Sequence, residues 1–229
     1  MSLESLAPVR NVPDPRGPVN RPGTPIERVT NMKTASLSVA AVLFTASLAS
    51  AAITSTFGGV TQIAPPAIAD FPFLLGPVAQ AWDEQPSVTG TIFADHIGPG
   101  NNSSPTPGVL TGTYASHFIH WSSLPLPQVL GQVNFSNPVV AVAWGDTFLD
   151  LTDGTWGAGP TAYPTGSPFR GINSGALVSV FGNSVRFEFH GVTGAIDIEQ
   201  MRVWTAVPTP GAFSLAGLGG LAALRRKRR

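Results

Sequence analysis

The sequence predicts an all-β body, an antiparallel β-sandwich of jelly-roll type, and three observations carry that prediction. Only 11% of the 229 residues are charged, while Gly (25) and Pro (22) are plentiful. This balance favours short strands joined by many turns over helices with charged outer faces. From residue 52 to 206, apolar and β-branched runs alternate with turn residues, and no window keeps a helical period. The stretch "LVSVFGNSVRFEFHG" gives a hairpin: Gly182-Asn183 makes a two-residue turn, and Val185, Phe187 and Phe189 alternate with Arg186, Glu188 and His190. One face of that hairpin is buried and the other wet.

In chain order, residues 1–31 contain six Pro and little apolar periodicity, which predicts a disordered leader; a true translation start at Met32 would make it a misassigned extension. Residues 32–51 read as a secretory signal. Lys33 supplies the positive start, residues 35–48 the apolar run, and Ala49-Ser50-Ala51 the small-residue site, so the cut falls between Ala51 and Ala52. The body, residues 52–206, carries eight candidate strands at 53–63, 87–97, 109–121, 129–135, 139–149, 176–181, 185–190 and 195–205. In "AIDIEQMRVWT", Ile196, Ile198 and Met201 face the core with a register break near Gln200. Two long loops, 98–108 and 154–171, are rich in Gly and Pro, and loops of that length are functional or mobile.

The formal net charge of zero hides a segregation. The body holds three cations (Arg170, Arg186, Arg202) and ten acids, 3 − 10 = −7, and five consecutive cations close the chain. An acidic body without a basic stripe excludes nucleic-acid binding, which needs clustered Lys or Arg against phosphates. The absence of Cys excludes a disulfide framework, a thiolate metal site and a Cys nucleophile.

The tail, residues 207–229, reads "VPTPGAFSLAGLGGLAALRRKRR". Its apolar part spans 14 residues from Gly211 to Leu224, or 19 from Ala206, just enough for a weak membrane span. The basic cluster would stay on the cytoplasmic side and leave the acidic body outside. This ending resembles the PEP-CTERM sorting domain of exported proteins of Gram-negative bacteria. The matching residues are Val207, Pro208, Pro210 and Gly211, the Leu and Gly of the apolar stretch, and Arg225, Arg226, Lys227, Arg228 and Arg229. Thr209 stands where the namesake motif has Glu. The resemblance implies handling by exosortase, a membrane protease-transpeptidase that recognises the tail, removes it, and releases or re-attaches the body at the cell surface. "FSNPVVAVAWGDTFLDLTDGTWG", "YPTGSPFRGI" and "IDIEQMRVWT" are similar to extracellular domains found ahead of such tails, which implies fold and location but no activity.

Residues with chemical potential are few. His117 and His120 form H-x-x-H, which would share a helix face and bind metal, but on a strand the odd spacing sends them to opposite faces. Asp146, Asp150 and Asp153 could offer oxygens to Ca²⁺, although their spacing departs from the EF-hand pattern and Asp153-Gly154 reads more simply as a turn. Asp83/Glu84 and Asp197/Glu199 are carboxylate pairs of the type a glycosidase needs. No G-x-S-x-G elbow and no phosphate-binding Gly-rich loop is present. Of the five Trp (82, 121, 144, 156, 204), Trp156 lies in the Gly-rich loop and is the candidate for ligand stacking.

The sequence therefore leads to a non-enzymatic protein of the cell surface or extracellular matrix that needs no cofactor. Its expected partners are the Sec translocon, signal peptidase, an exosortase and the inner membrane that holds the unprocessed tail. The alternative is a secreted carbohydrate-binding module or hydrolase acting on extracellular polysaccharide.

Overall fold

The computed structural model describes residues 50–70, 74, 76–123, 128–191 and 197–207. All of them fall in one compact unit, Thr45–Arg229. The expected leader, the expected signal peptide before Ser50 and the expected sorting tail after Val207 lie outside the described residues.

The body is mostly strand. One sheet, sheet A, has five strands in the order β1 (Ile53–Gly58), β7 (Gln128–Phe135), β10 (Ser184–His190), β9 (Leu177–Phe181) and β5 (Gly100–Asn101). Sheet B has six, in the order β2 (Val60–Gln62), β3 (Ala79–Ala94), β6 (Gly108–Ser123), β11 (Asp197–Ala206), β8 (Val139–Ala143) and β4 (His96–Ile97). All pairings are antiparallel except β2 with β3.

The two sheets share an apolar core. Phe135, Val185, Phe187 and Phe189 come from sheet A, and Ile119, Trp121, Met201 and Val203 from sheet B. Period-2 alternation explains this membership, because each strand sends every second side chain inward. The predicted hairpin is β9–β10: Ser184 pairs with Phe181 across Gly182-Asn183, and Gly182 takes φ +57°. That angle is costly for a residue with a Cβ and free for glycine.

A third layer covers the outer face of sheet B. The helix α1 (Asp146–Trp156) lies there, and Leu149 and Trp156 pack with Trp82, Phe118 and Trp204 of the sheet. This corrects two expectations. The candidate strand 139–149 ends at Ala143, and "DTFLDLTDGTW" is helical, including the expected Asp153-Gly154 turn. Its buried positions are Leu149, Thr152 and Trp156, a 3–4 spacing. With a Thr in the middle and aspartates between, the apolar stripe is too thin to register as a period.

Two more corrections concern register. β3 begins at Ala79, eight residues before the expected 87, and its pairing with β6 shifts between Asp83 and Gln85 and again between Gln85 and Val88. Pro86 sits in the second irregularity, where a missing N–H is tolerated. In β11 no break occurs at Gln200, since pairing with β6 is continuous from Asp197 to Ala206. Gln200 is instead a buried polar residue sharing its face with Arg202 and Trp204, while Met201, Val203 and Thr205 face sheet A.

Candidate functional site

The loop 157–171 and helix α1 are joined to sheet B by a buried polar network. The bulge in β3 leaves Glu84 opposite no residue of β6 and aims it at Arg202 of β11. Arg202 Nε donates to Glu84 Oε2 at 2.8 Å and Nη2 to Oε1 at 2.9 Å, with both side chains fully excluded from solvent. Arg202 also donates to Thr152 Oγ1 (2.6 Å) and Asp153 Oδ1 (3.0 Å), and its guanidinium lies over the Phe118 and Tyr163 rings. Burial opposes its charge, but Glu84 and Asp153 outweigh burial and hold the Arg202 pKa above its ordinary value. Tyr163 donates its hydroxyl to Glu84 Oε1, and burial together with that carboxylate's charge raises its pKa.

Arg170 is the second wholly buried cation. Its Nε donates to Gln200 Oε1 (2.8 Å), and its terminal nitrogens reach Asp150 Oδ1 (2.8 Å) and Asp153 Oδ2 (2.6 Å). Burial alone would raise the Asp153 pKa, but the Arg170 hydrogen bond and the Arg202 charge outweigh it and lower it. Gln200 Nε2 donates to His120 Nδ1 at 2.9 Å and to the Ala69 carbonyl at 2.8 Å. Burial, then the Arg170 charge, pushes the His120 pKa down to about 3, so the ring is neutral.

The three aspartates considered for Ca²⁺ do a different job. Spaced by 4 and 3 on α1, they share a helix face and grip the following loop. Asp146 accepts from the N–H groups of Phe169 (3.0 Å) and Gly171 (2.7 Å), Asp150 from Gly166 N–H (3.0 Å), and Asp153 from the Thr165 hydroxyl (2.6 Å). No group of three or more His, Asp or Glu among the described residues is arranged around a common metal position. A Cβ at Gly171 would meet the Trp144 carbonyl oxygen at 2.3 Å, so only glycine passes there. Between the clamped residues 166 and 170–171, Phe169 is held at φ +66° with 80% of its surface exposed.

The stacking role expected of Trp156 is corrected by its burial. It ends α1 rather than riding a loop, is 0% exposed, donates Nε1–H to the Thr91 carbonyl at 3.2 Å and packs edge-on against Trp204. The exposed aromatic of this loop is Phe169, which the composition of "YPTGSPFRGI" concealed among turn residues.

His117 and His120 lie on opposite faces of β6, as the odd spacing requires. His117 Nδ1 lies 2.6 Å from Asp83 Oδ1, and Nε2 hydrogen-bonds the Thr205 hydroxyl at 3.0 Å. That is the connectivity of a hydrolase triad, yet His117 and Thr205 are both 0% exposed, with Phe135 against the imidazole at 4.6 Å. The arrangement joins β3, β6 and β11 where no substrate can arrive. Asp83 and Glu84 point to opposite faces of sheet B and form no pair. Glu199 is buried, accepting from Asn173 and His190 N–H groups at 3.2 and 3.1 Å, and the Asp197 side chain lies outside the described residues.

No described residue covers the outer face of sheet A, where Phe57, Leu130 and Leu177 are exposed. A cleft of about 420 Å³ crosses it, lined by Phe57, Leu130, Gln132, Leu177, Arg186 and Glu188 among others. In register, Phe57, Gln132, Arg186 and Ser179 form one row across four strands, and Leu130, Glu188 and Leu177 form the next. Phe57 (58%), Leu130 (52%) and Leu177 (50%) are half exposed. At the end of β1, Gly58 has φ +74° and a Cβ there would meet the Leu130 carbonyl oxygen at 2.8 Å, so the rim carries no side chain.

No family model matches the chain, and no curated protein and no solved structure matches it at a significant level.

Proposed function

We propose that this is a non-enzymatic exported protein of the cell surface or extracellular matrix, carried out by its signal peptide and sorted by an exosortase through its tail. The reading rests on the sequence signals that bracket the body, and one feature of the fold supports it. The body's two ends converge on the turn between β7 and β8. Ser136 N–H donates to the Ala52 carbonyl at 2.9 Å and its Oγ accepts from Ala52 N–H at 3.1 Å, while Ala206 N–H donates to the Pro138 carbonyl at 2.9 Å.

β1 starts at Ile53, one residue after the expected first mature residue, and β11 ends at Ala206, immediately before the V-P-x-P segment. Both cuts would fall just outside the strands. A signal sequence and a membrane-held tail would leave from the same pole of a jelly-roll-like body, so one membrane can hold both without distorting either sheet.

The test is intact mass with terminal peptide mapping of the protein from the producing cell's surface fraction. A chain beginning at Ala52 and ending between Pro208 and Gly211 is expected. A chain in the cytosol with an uncleaved N-terminus overturns export, and one in the membrane still ending at Arg229 overturns processing by an exosortase.

A further inference from the structure

We propose that the cleft on the outer face of sheet A binds a neutral, hydroxyl-rich oligosaccharide chain. This goes beyond the sorting reading and does not depend on it, since a body that kept its tail would present the same face.

The cleft lies within the range of small-ligand sites, roughly 300–1,000 Å³. Polar and apolar side chains are interleaved across it, with Ser179 beside Arg186 and Leu130 and Leu177 flanking Glu188. Arg186 and Glu188 occupy the middle strand β10, with Gln132 beside Arg186, while Phe57 stands at the β1 end and Leu177 at the β9 end. Such an order suits a ring that is apolar on its face and ringed by hydroxyls. Phe57, Leu130 and Leu177 cover C–H surfaces, and the planar amide, guanidinium and carboxylate take the hydroxyls as donors and acceptors.

Charge decides the class of ligand. Arg186 and Glu188 balance in the lining, and the body is acidic overall, so an anionic chain gains nothing there and a purely apolar ligand would strip water from two charges without replacing it. A polyol replaces that water group for group.

The polar groups are also pre-positioned. Arg186 spends Nε on Gln132 Oε1 (2.8 Å), Gln132 Nε2 donates to Asn134 Oδ1 (2.7 Å), and Glu188 Oε1 takes His190 Nε2 (2.9 Å). The terminal nitrogens of Arg186 make no hydrogen bond among the described residues. These contacts bias the side chains toward these positions before a ligand arrives, which lowers part of the entropy cost of binding.

Gln132 and Leu130 lie four and six residues along β7 from Ser136, roughly 13–20 Å at strand rise, so the cleft is set apart from the turn on which Ala52 and Ala206 converge.

The experiment uses the full-length chain in calorimetry and affinity electrophoresis against neutral glucan, mannan and xylan oligosaccharides, with an alginate oligosaccharide as the anionic control. At least one neutral chain is expected to bind saturably, with an affinity unchanged between low and high salt. Phe57→Ala and Arg186→Ala should each weaken it about tenfold or more, whereas Phe169→Ala, across the molecule on the α1 side, leaves it unchanged. All three residues are exposed or on the outer face, so circular dichroism should show the same fold. Failure of every neutral chain to bind overturns the proposal. So does binding of alginate alone that fades with salt, binding indifferent to Phe57 and Arg186, or self-association through this face that Phe57→Ala abolishes.

Discussion

Arg202 and Glu84 form a two-point ion pair, 2.8 and 2.9 Å, with both side chains wholly out of water. The pair ties β11 to the bulge of β3, and through Thr152 and Asp153 it fastens α1 to sheet B. Burying two charges is expensive, and the geometry offsets that expense only while every partner is present.

Glu84→Ala is therefore expected to cost about 3–5 kcal/mol, a fall in Tm of roughly 6–20 °C for a body of this size, because it strands the Arg202 guanidinium. The double variant Glu84→Leu with Arg202→Met should recover much of that loss. Thermal unfolding followed by circular dichroism decides it; a single-variant shift below about 3 °C would mean the pair is dispensable.

Acid should loosen the α1 layer through His120. Its native pKa of about 3 lies below the ordinary histidine value of 6.5, so the unfolded chain binds more protons between those values. Stability from this group is intact above pH 6.5 and falls as pH drops toward 3, by up to about 1.4 kcal/mol per pH unit. Asp153, whose native pKa is lowered by Arg170 and Arg202, loses its contribution at still lower pH, in the same direction. His120→Asn, with an amide oxygen to accept from Gln200, should flatten the slope by one proton in chemical unfolding measured from pH 7 to 4. An unchanged slope would refute the assignment.

Phe169 is held in a left-handed conformation that costs a residue with a Cβ about 1–2 kcal/mol. Phe169→Gly should relieve that strain and raise the urea midpoint slightly, offset in part by the freer unfolded chain. Phe169→Val, β-branched and worse suited to this region, should lower it. The reverse ranking would show that the ring, rather than the backbone, sets the stability of the loop.

Trp156→Ala should destabilise by about 3–5 kcal/mol, since the indole fills the contact between α1 and Trp204 and its Nε1–H serves the Thr91 carbonyl. Oligosaccharide affinity of the folded fraction should be unchanged. A stable variant that loses a ligand would restore the stacking role.

The parts legible in the chain were those governed by neighbours in sequence. Alternation in "SVRFEFH" assigns Val185, Phe187 and Phe189 inward and Arg186 and Glu188 outward, and burial agrees. The odd spacing of His117 and His120 likewise separates them across β6. The helix escaped notice because its inward stripe includes Thr152, which is buried by bonding the Phe148 carbonyl and Arg202 rather than by being apolar. The cleft escaped notice because Phe57, Gln132, Arg186 and Leu177 come from four strands spread over more than a hundred residues.

The sequence by itself determined the strand-rich composition and the inside and outside of regularly alternating strands such as β10, and it carries the expected signals at either end, because alternation and composition are local properties. Tertiary structure decided what the charged and aromatic residues do. It made Asp146, Asp150 and Asp153 clamps on a loop, turned Arg170 and Arg202 inward, buried Trp156 and exposed Phe169. A buried charge is tolerated only where partners from distant strands meet it at hydrogen-bond distance, and those meetings are set by register and bulges that local pattern does not encode.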